Sequence, residues 1–246
     1  MTNTIFTSFI LLSMLFPFCA IGQTNADILR AAEDGLKKNC MAFAKRDSAP
    51  KGRNCFTSEV GKDNDGWYRV YKPPVDGAAK TIWWIGDSRT VGMSNNGVIN
   101  PANNEAVLAK VSMGHTWLVN TALPKLKTCI SDGDAVILAL GANDIDWYSK
   151  YIKTYGNLRD KYKRVDFYVV SVNPVVDSKT KYLDNDAIVT FNENMKQAFQ
   201  DIYIDTYSKV EGMVTPDCTD NAGLHYHAIC NIEKTVYQTV MDTIGQ

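Results

Sequence analysis

From residue 81 onward, short apolar runs alternate with longer segments whose apolar residues recur at helical spacing. The apolar runs cover residues 81–85, 106–111, 135–140, 165–172 and 202–205. Continuous apolar runs bounded by turn-forming residues are typical of parallel strands that are covered on both faces. The pattern therefore predicts a five-stranded parallel sheet.

The segments between and after these runs carry one apolar face. Ile188, Phe191, Met195 and Phe199 form one helical stripe, and Ile229, Ile232, Val236 and Val240 form another, which ends near Gly245. Alternating strands and helices predict a three-layer α/β/α domain over residues 81–246. In such sheets ligands bind at the carboxyl ends of the strands, so the residues that follow each run are candidates for a functional site.

The first residues of the chain do not follow this alternation. Residues 5–21 contain no charged side chain, and the small residues Ala20 and Gly22 stand shortly before Gln23. This arrangement predicts a secretory signal peptide over residues 1–22, cleaved before Gln23. The alternative is a single membrane anchor, for which a run interrupted by Pro17 is marginal. We expect a secreted or periplasmic protein with no stable membrane insertion after cleavage.

A segment without strand-helix alternation separates the predicted signal from the first strand. Residues 27–45 carry apolar residues at helical spacing, whereas residues 48–80 are rich in Gly, Pro, Asp and Lys. We therefore expect residues 23–80 to form an N-terminal helix and an irregular extension that packs on the main domain.

Export changes the interpretation of the cysteines, because disulfides persist in oxidising compartments. Removal of the signal leaves Cys40, Cys55, Cys129, Cys218 and Cys230. Proximity in sequence suggests pairing of Cys40 with Cys55 and of Cys218 with Cys230. Cys129 would then remain as a buried thiol. The sequence alone does not decide this pairing.

Composition excludes some functions. The 246 residues include 26 Lys and Arg against 27 Asp and Glu, a net charge of -1, and 45% of them are hydrophobic. Such a balanced composition shows no excess of basic residues, so it does not favour a nucleic-acid-binding protein. Length and apolar content fit one folded α/β domain with an N-terminal extension.

Candidate functional residues follow the first three predicted strands and precede the last helix. Ser88 lies in Gly86-Asp87-Ser88-Arg89, at a turn where the N-terminus of the following helix favours an anion. Gly114 permits a close backbone approach to a ligand, and the Asn143 amide can donate to a developing oxyanion. His225 has the chemistry of a general base. Each residue has an ordinary explanation by itself. Helix capping would explain Ser88 and Asn143, a turn would explain Gly114, and a surface histidine with satisfied hydrogen bonds would explain His225. The ordered set is more specific than any one of them.

In this order, Ser88, Gly114, Asn143 and His225 resemble the four sequence blocks of the SGNH family, also called GDSL hydrolases. The segments that carry the resemblance are IGDSRTVGM, VSMGHTW, LGANDI, IDTY and GLHY, and it covers roughly residues 81–246. The first segment is similar to a bacterial type in which Arg follows the nucleophile. The resemblance implies a flavodoxin-like fold and ester hydrolysis by acyl transfer, without a metal or organic cofactor.

The resemblance also implies a role for each residue. Ser88 would be the nucleophile and His225 the base. The oxyanion hole would use the backbone N–H groups of Ser88 and Gly114 and the side chain of Asn143. Substrate contacts are expected from Arg89, and from Trp117, Trp147 and Tyr148 if they line an aromatic groove; ordinary packing is the alternative for these rings.

The sequence departs from the family pattern at the carboxylate that orients the catalytic histidine. The family usually carries Asp three residues before the catalytic His, where this chain has Ala222. Asp220 lies five residues before His225 and would reach the ring if the loop bulged near Gly223. We rank Asp220 first, a Ser-His dyad oriented by a backbone carbonyl second, and Asp217 third.

Export and small-acyl chemistry together predict a secreted esterase that removes acetyl groups from carbohydrate or cell-wall polymer. A lipid-directed esterase or lysophospholipase is one alternative. A catalytically weak carbohydrate-binding module is another, favoured by Ala222 at the acid position. A third is a zinc site, whose ligands would be Cys218, His225, His227 and Cys230, although their spacing matches no common zinc finger. The oligomeric state does not follow from the sequence.

Overall fold

The computed structural model describes residues 80–100 and 103–245, together with the backbone of two strands further upstream. The predicted signal peptide, the predicted helix over residues 27–45 and the suggested Cys40–Cys55 pair lie outside the described residues. Among the described residues, none of the helices has the length and apolar character needed to cross a membrane.

One sheet organises the described part of the chain. Its strands are β1 (Glu59–Asp63), β2 (Gly66–Val70), β3 (Ile82–Gly86), β4 (Glu105–Lys110), β5 (Ala135–Ala139), β6 (Asp166–Val170) and β7 (Tyr203–Ile204). They lie in the order β1-β2-β4-β3-β5-β6-β7, and the five from β3 onward are parallel. Counted from β3, this parallel part has the flavodoxin-like order 2-1-3-4-5. The predicted five-stranded parallel sheet is confirmed.

The sheet also contains a hairpin that the sequence pattern did not predict. β1 and β2 pair with each other in antiparallel fashion, and β2 pairs antiparallel to β4 through Tyr68, Arg69 and Val70. Part of the extension expected to be irregular therefore belongs to the sheet of the main domain. The physical reason is that β4 would otherwise be an edge strand with unpaired backbone groups, which the hairpin satisfies.

The longer connections are helical. The helices are α1 (Ser88–Asn95), α2 (His115–Trp117), α3 (Leu123–Lys127), α4 (Tyr148–Lys161), α5 (Asn185–Ala198), α6 (Tyr207–Val210) and α7 (Ile232–Ile244). A π-helical turn, Leu118–Ala122, joins α2 to α3. Helix α5 buries Ile188, Phe191 and Met195, as its stripe predicts.

The predicted stripe of the last helix is wrong at its first member. Ile229 is 85% exposed and lies in a 3-10 turn, Ala228–Cys230. Asn231 then takes a left-handed φ of 57°, which breaks helical continuity, so α7 begins at Ile232. Ile232, Val236 and Val240 are buried as predicted.

The two faces of β3 pack against different helices. Trp83 and Ile85 point into the core that contains Tyr151 of α4 and Phe191 of α5. Trp84, between them, stacks on Tyr237 of α7 at a ring-centroid distance of 5.7 Å. Because alternate strand residues point to opposite faces, the sheet lies between two helical layers. This is the predicted three-layer α/β/α arrangement.

The register of the central strands brings their carboxyl ends to one edge. Gly86 at the end of β3 is level with Ala109 of β4 and with Ala139 of β5. The loops that follow these three strands therefore leave the sheet side by side, and they carry Ser88, Gly114 and Asn143.

Candidate active site

Ser88 begins helix α1 directly after strand β3. Asp87, which is 97% buried and caps the helix, accepts a hydrogen bond from the backbone N–H of Arg89 at 3.0 Å. A Cβ on Gly86 would lie 1.8 Å from Oγ1 of Thr90 and 3.1 Å from the carbonyl oxygen of Ala139. Only glycine therefore allows the chain to turn from strand to helix this tightly, which fixes the serine at the N-terminus of α1.

His225 lies in a loop that is closed at its base by covalent and backbone bonds. Cys218 and Cys230 form a disulfide with a Cα–Cα distance of 5.7 Å, so the suggested pairing is confirmed. Within the loop, Thr219 and Tyr226 form an antiparallel bridge, and the N–H of Asp220 donates to the carbonyl of His225 at 2.9 Å. These bonds hold Asp220 and His225 opposite each other.

The tip of this loop explains why a carboxylate five residues upstream reaches the ring. Gly223 takes a left-handed φ of 69°, and its N–H donates to the carbonyl of Asp220 at 3.0 Å. The chain thus reverses within residues 220–225. Oδ1 of Asp220 accepts the N–H of Leu224 at 2.9 Å, which turns its second oxygen towards the imidazole.

Three side chains form a continuous hydrogen-bonded series. Nε2 of His225 lies 2.8 Å from Oγ of Ser88, and Nδ1 of His225 lies 2.7 Å from Oδ2 of Asp220. The hydroxyl is the donor to an unprotonated Nε2, and Nδ1–H donates to the carboxylate. This is the nucleophile–base–orienting-group geometry of covalent acyl-transfer catalysis.

The carboxyl group of Asp220 is held in its ionised form. Burial raises its pKa. Hydrogen bonds from the His225 ring and from the N–H of Leu224, and the positive charge of the ring once it is protonated, outweigh burial and hold the pKa below its usual value. The His225 side chain remains 45% exposed, and His225 and Ser88 line the same pocket, so a ligand can reach both from solvent.

Asn143 and Gly114 lie on the two loops that flank the serine. Nδ2 of Asn143 donates to the carbonyl of Met113 at 3.0 Å, and an amide has a second N–H for a ligand. Asn143 lines the pocket at Ser88. Gly114 is not among the lining residues; it follows Met113 and is the N-cap residue of helix α2.

Asp144 fixes the backbone around Gly114. Its Oδ2 accepts the N–H of His115 at 2.7 Å, and its Oδ1 accepts the hydroxyl of Tyr151 at 2.7 Å. A Cβ on Gly114 would approach Oδ2 of Asp144 at 2.3 Å, so this close packing requires glycine. Asp144 thus connects helices α2 and α4 through His115 and Tyr151, and no local sequence pattern encodes these two contacts.

Arg89 lines the pocket, but its guanidinium group makes backbone contacts. Nη1 donates to the carbonyl of Asn173 at 2.6 Å, and Nε and Nη2 donate to the carbonyls of Leu224 and Pro174, each at 3.3 Å. Arg89 thereby links helix α1 to the His225 loop and to the loop after β6.

Arg89 also acts on the buried carboxyl group next to it. Burial raises the pKa of Asp87, and the positive charge of Arg89 partly opposes that rise.

The other candidate residues lie apart from this hydrogen-bonded series. His227 is exposed, and its Nε2 contacts the carbonyl of Thr219 at 2.8 Å. Asp217 lies in the 3-10 turn that ends at Cys218. The sulfur atoms of Cys218 and Cys230 are bonded to each other, so the zinc-site alternative loses its two thiolate ligands. Cys129 is free and buried, as expected.

A pocket of about 550 Å³ opens beside Ser88 and His225. Its lining residues are Ser88, Arg89, Val111, Ser112, Ala142, Asn143, Lys179, Thr180, Lys181, Tyr182, Leu183, Asn221, Ala222, Leu224 and His225. Trp117 and Trp147 are not among them. Trp147 contacts the edge of His115, and Nζ of Lys150 lies 3.1 Å from its ring centroid.

The loop over residues 179–183 forms a wall that sequence reasoning missed. It follows strand β6, and Nζ of Lys179 donates to the carbonyls of Pro216 and Asp220. Tyr182 is 95% exposed, so the pocket mouth carries an aromatic ring, although not the ones expected. The available signal was the pair of lysines and the tyrosine after the fourth apolar run, in SKTKYLD.

The fold is shared with solved structures at low sequence identity. A Bacteroides fragilis protein assigned as an acylhydrolase is 15% identical, with a TM-score of 0.57 over 72% of this chain and 92% of its own. A GDSL-like lipase from Bacteroides thetaiotaomicron is 14% identical, with a TM-score of 0.54 over 71% and 93%. An α/β hydrolase from the metagenome of Lake Arreo, Spain, is 11% identical, with a TM-score of 0.51 over 68% and 96%. No family model and no curated protein matches the sequence.

Proposed function

We propose that this protein is a secreted serine ester hydrolase of the SGNH type that removes small acyl groups, such as acetyl, from carbohydrate or cell-wall polymer. The observation that carries the proposal is the series Ser88–His225–Asp220, with contacts of 2.8 and 2.7 Å. One fold hosts many functions, so the shared fold is secondary to this geometry.

The geometry suits a two-step acyl transfer. His225 Nε2 takes the hydroxyl proton as Oγ of Ser88 attacks the ester carbonyl, and Asp220 stabilises the imidazolium that forms. The N–H groups of Ser88 and Gly114 and the amide of Asn143 would stabilise the oxyanion, each donor contributing about 3 kcal/mol. His225 then protonates the departing alcohol, and a water molecule, deprotonated by the same ring, hydrolyses the acyl-serine.

The charged mouth of the pocket supports a small acyl group rather than a lipid chain. Arg89, Lys179 and Lys181 all line the pocket, and a long hydrocarbon chain laid against them would remove water from these charges. The lipid-directed alternative is tested with 4-nitrophenyl esters of increasing chain length. We expect acetate to be hydrolysed faster than octanoate, and the opposite order would favour the lipid-directed enzyme.

Two features support export. The N-terminal apolar run has the pattern of a signal peptide, and the Cys218–Cys230 bridge suits an oxidising compartment. The non-catalytic alternative rested on Ala222 at the usual acid position, and the contact between Asp220 and His225 removes that reason.

The decisive experiment is Ser88→Ala, assayed with 4-nitrophenyl acetate. We expect the rate to fall by about three or more orders of magnitude, because no nucleophile remains, while the thermal unfolding midpoint stays near that of the wild type. Ser208→Ala, at an exposed serine of α6, is the matched control and should retain full activity. Wild-type turnover by Ser88→Ala would contradict the proposed function.

A further inference from the structure

The charged side chains that line the pocket are positive, although the chain as a whole is nearly neutral. Arg89, Lys179 and Lys181 line it together with His225, and none of its described lining residues is Asp or Glu. The whole sequence, in contrast, carries a net charge of -1. A cleft lined by charges of one sign raises the local concentration of ligands of the opposite sign.

Apart from the buried Asp87 beside Arg89, the short-range contacts of these lining cations are made with backbone carbonyl oxygens rather than with carboxylates. Arg89 donates to three carbonyl oxygens, and Lys179 donates to the carbonyls of Pro216 and Asp220. The carboxylate of Asp220 is engaged by His225. Lys181 is exposed and forms no ion pair with any residue in the described part of the chain. Its ammonium group is therefore available to a ligand at the pocket mouth.

The neighbour of Lys181 adds a second recognition element. Tyr182 lines the same pocket and is 95% exposed, which is unusual for a large aromatic side chain on a folded domain. An exposed ring offers a flat apolar surface to the C–H face of a sugar. Lys181 and Tyr182 together thus present a cation and a stacking surface beside the nucleophile.

We propose that the alcohol part of the ester substrate is an acidic saccharide, which stacks on Tyr182 and places its anionic group at Lys181. The cleaved bond is the acyl ester to a hydroxyl of that saccharide. This inference rests on the proposed function and names its substrate class. Arg89 and Lys179 strengthen the local positive potential, while Lys181 is the direct partner of the anion.

The experiment compares two acetylated probes, an O-acetylated oligogalacturonide and an O-acetylated α-1,4-linked galacto-oligosaccharide, which differ in whether C6 of each sugar is a carboxylate or a neutral hydroxymethyl group. We expect wild-type kcat/KM to be about tenfold higher for the acidic probe at low ionic strength, and this preference to shrink in about 0.5 M salt. Lys181→Glu should lower kcat/KM for the acidic probe about tenfold and change that for the neutral probe less than twofold.

The matched control is Lys127→Glu. Lys127 is an exposed lysine that ends α3, before the loop that enters strand β5 at the opposite edge of the sheet. Lys127→Glu changes the net charge by the same amount as Lys181→Glu and should leave the preference for the acidic probe unaltered. Three outcomes would overturn the inference, provided that the wild type still cleaves 4-nitrophenyl acetate. They are equal wild-type rates on the two probes, equal losses of kcat/KM on both probes in Lys181→Glu, and no hydrolysis of the acidic probe. Loss of the Ser88-dependent cleavage of 4-nitrophenyl acetate would instead refute the proposed function itself.

Discussion

The contact between Asp220 and His225 depends on one residue, Gly223, and on the backbone around it. Its φ of 69° reverses the chain, so that a carboxylate five residues before the histidine meets Nδ1 at 2.7 Å. Val176 and Lys179 pack against Gly223, where a Cβ would lie 2.9 Å from the Val176 carbonyl oxygen. A larger residue at this position would displace the loop.

Asp220→Asn tests whether this carboxylate is the orienting acid. The substitution keeps size and shape but removes the charge that stabilises the imidazolium, so kcat on 4-nitrophenyl acetate should fall by about two to four orders of magnitude. The fold should remain, because the amide oxygen can still accept the N–H of Leu224. Steady-state kinetics and thermal unfolding measure the two effects.

The control for this variant lies in the same loop. Asp217→Asn removes an equal charge from a residue outside the hydrogen-bonded series and should leave kcat unchanged. A fall in kcat of less than about tenfold in Asp220→Asn, worth about 1.4 kcal/mol of barrier, would instead favour the Ser-His dyad.

Single residues also show where sequence reasoning stops. The hydroxyl of Ser88 and the ring of His225 were predicted from local motifs, because strand-end position and residue type are both visible in sequence. The three carbonyl contacts of Arg89 come from residues 84 to 135 positions away. No local pattern encodes partners at such separations.

At the scale of elements, the loop between Cys218 and Cys230 carries both Asp220 and His225. The bridge restricts the unfolded chain and limits the motion of His225. The double variant Cys218→Ser/Cys230→Ser should lose about 2–4 kcal/mol of unfolding free energy, as is typical for a disulfide. Urea unfolding monitored by tryptophan fluorescence measures the loss.

The chemical state of the thiols checks the same element. Non-reducing peptide mapping of the wild type should recover the peptides containing Cys218 and Cys230 as one linked species, with Cys129 alkylated only after unfolding. Both loop thiols found free, or paired with another cysteine, would contradict the bridge.

The strands were predictable to within one or two residues at most ends, because parallel strands buried on both faces are marked by apolar runs. The run over 81–85 corresponds to Ile82–Gly86, and the run over 135–140 to Ala135–Ala139. The hairpin β1–β2 escaped prediction. Its sequence, EVGKDNDGWYRV, contains few apolar residues, and its pairing depends on the distant strand β4.

For the whole molecule, a buried carboxyl group between α1 and α7 couples stability to pH. Burial raises the pKa of Glu233 to about 7, although the Asn96 side chain, which donates to its carboxylate at 2.6 Å, opposes the rise. The unfolded group titrates at about 4.5. Between these values folded protein keeps a proton that unfolded protein releases, so the contribution of Glu233 to stability falls as pH rises.

Glu233→Gln should remove this contribution, since the amide cannot ionise. The unfolding free energy of the variant minus that of the wild type should therefore rise by about 2–3 kcal/mol as the pH is raised from 4.5 to 8. Urea unfolding of both proteins at the two pH values measures the difference. Glu193→Gln, at an exposed position on α5, is the control. If the difference in unfolding free energy between Glu233→Gln and the wild type stayed the same from pH 4.5 to pH 8, Glu233 would not couple stability to pH.

The one-dimensional pattern of this chain was enough for the parallel strands, for the layer architecture and for the choice of Ser88 and His225 as candidates, because these follow from hydrophobic periodicity and from residue type at strand ends. Tertiary structure alone decided that Asp220 reaches His225, that Arg89 contacts carbonyls, and that Lys181 and Tyr182 form the pocket mouth. Each of these depends on loop conformation and on contacts between residues far apart in sequence, where the free energy is set by three-dimensional packing rather than by neighbours along the chain.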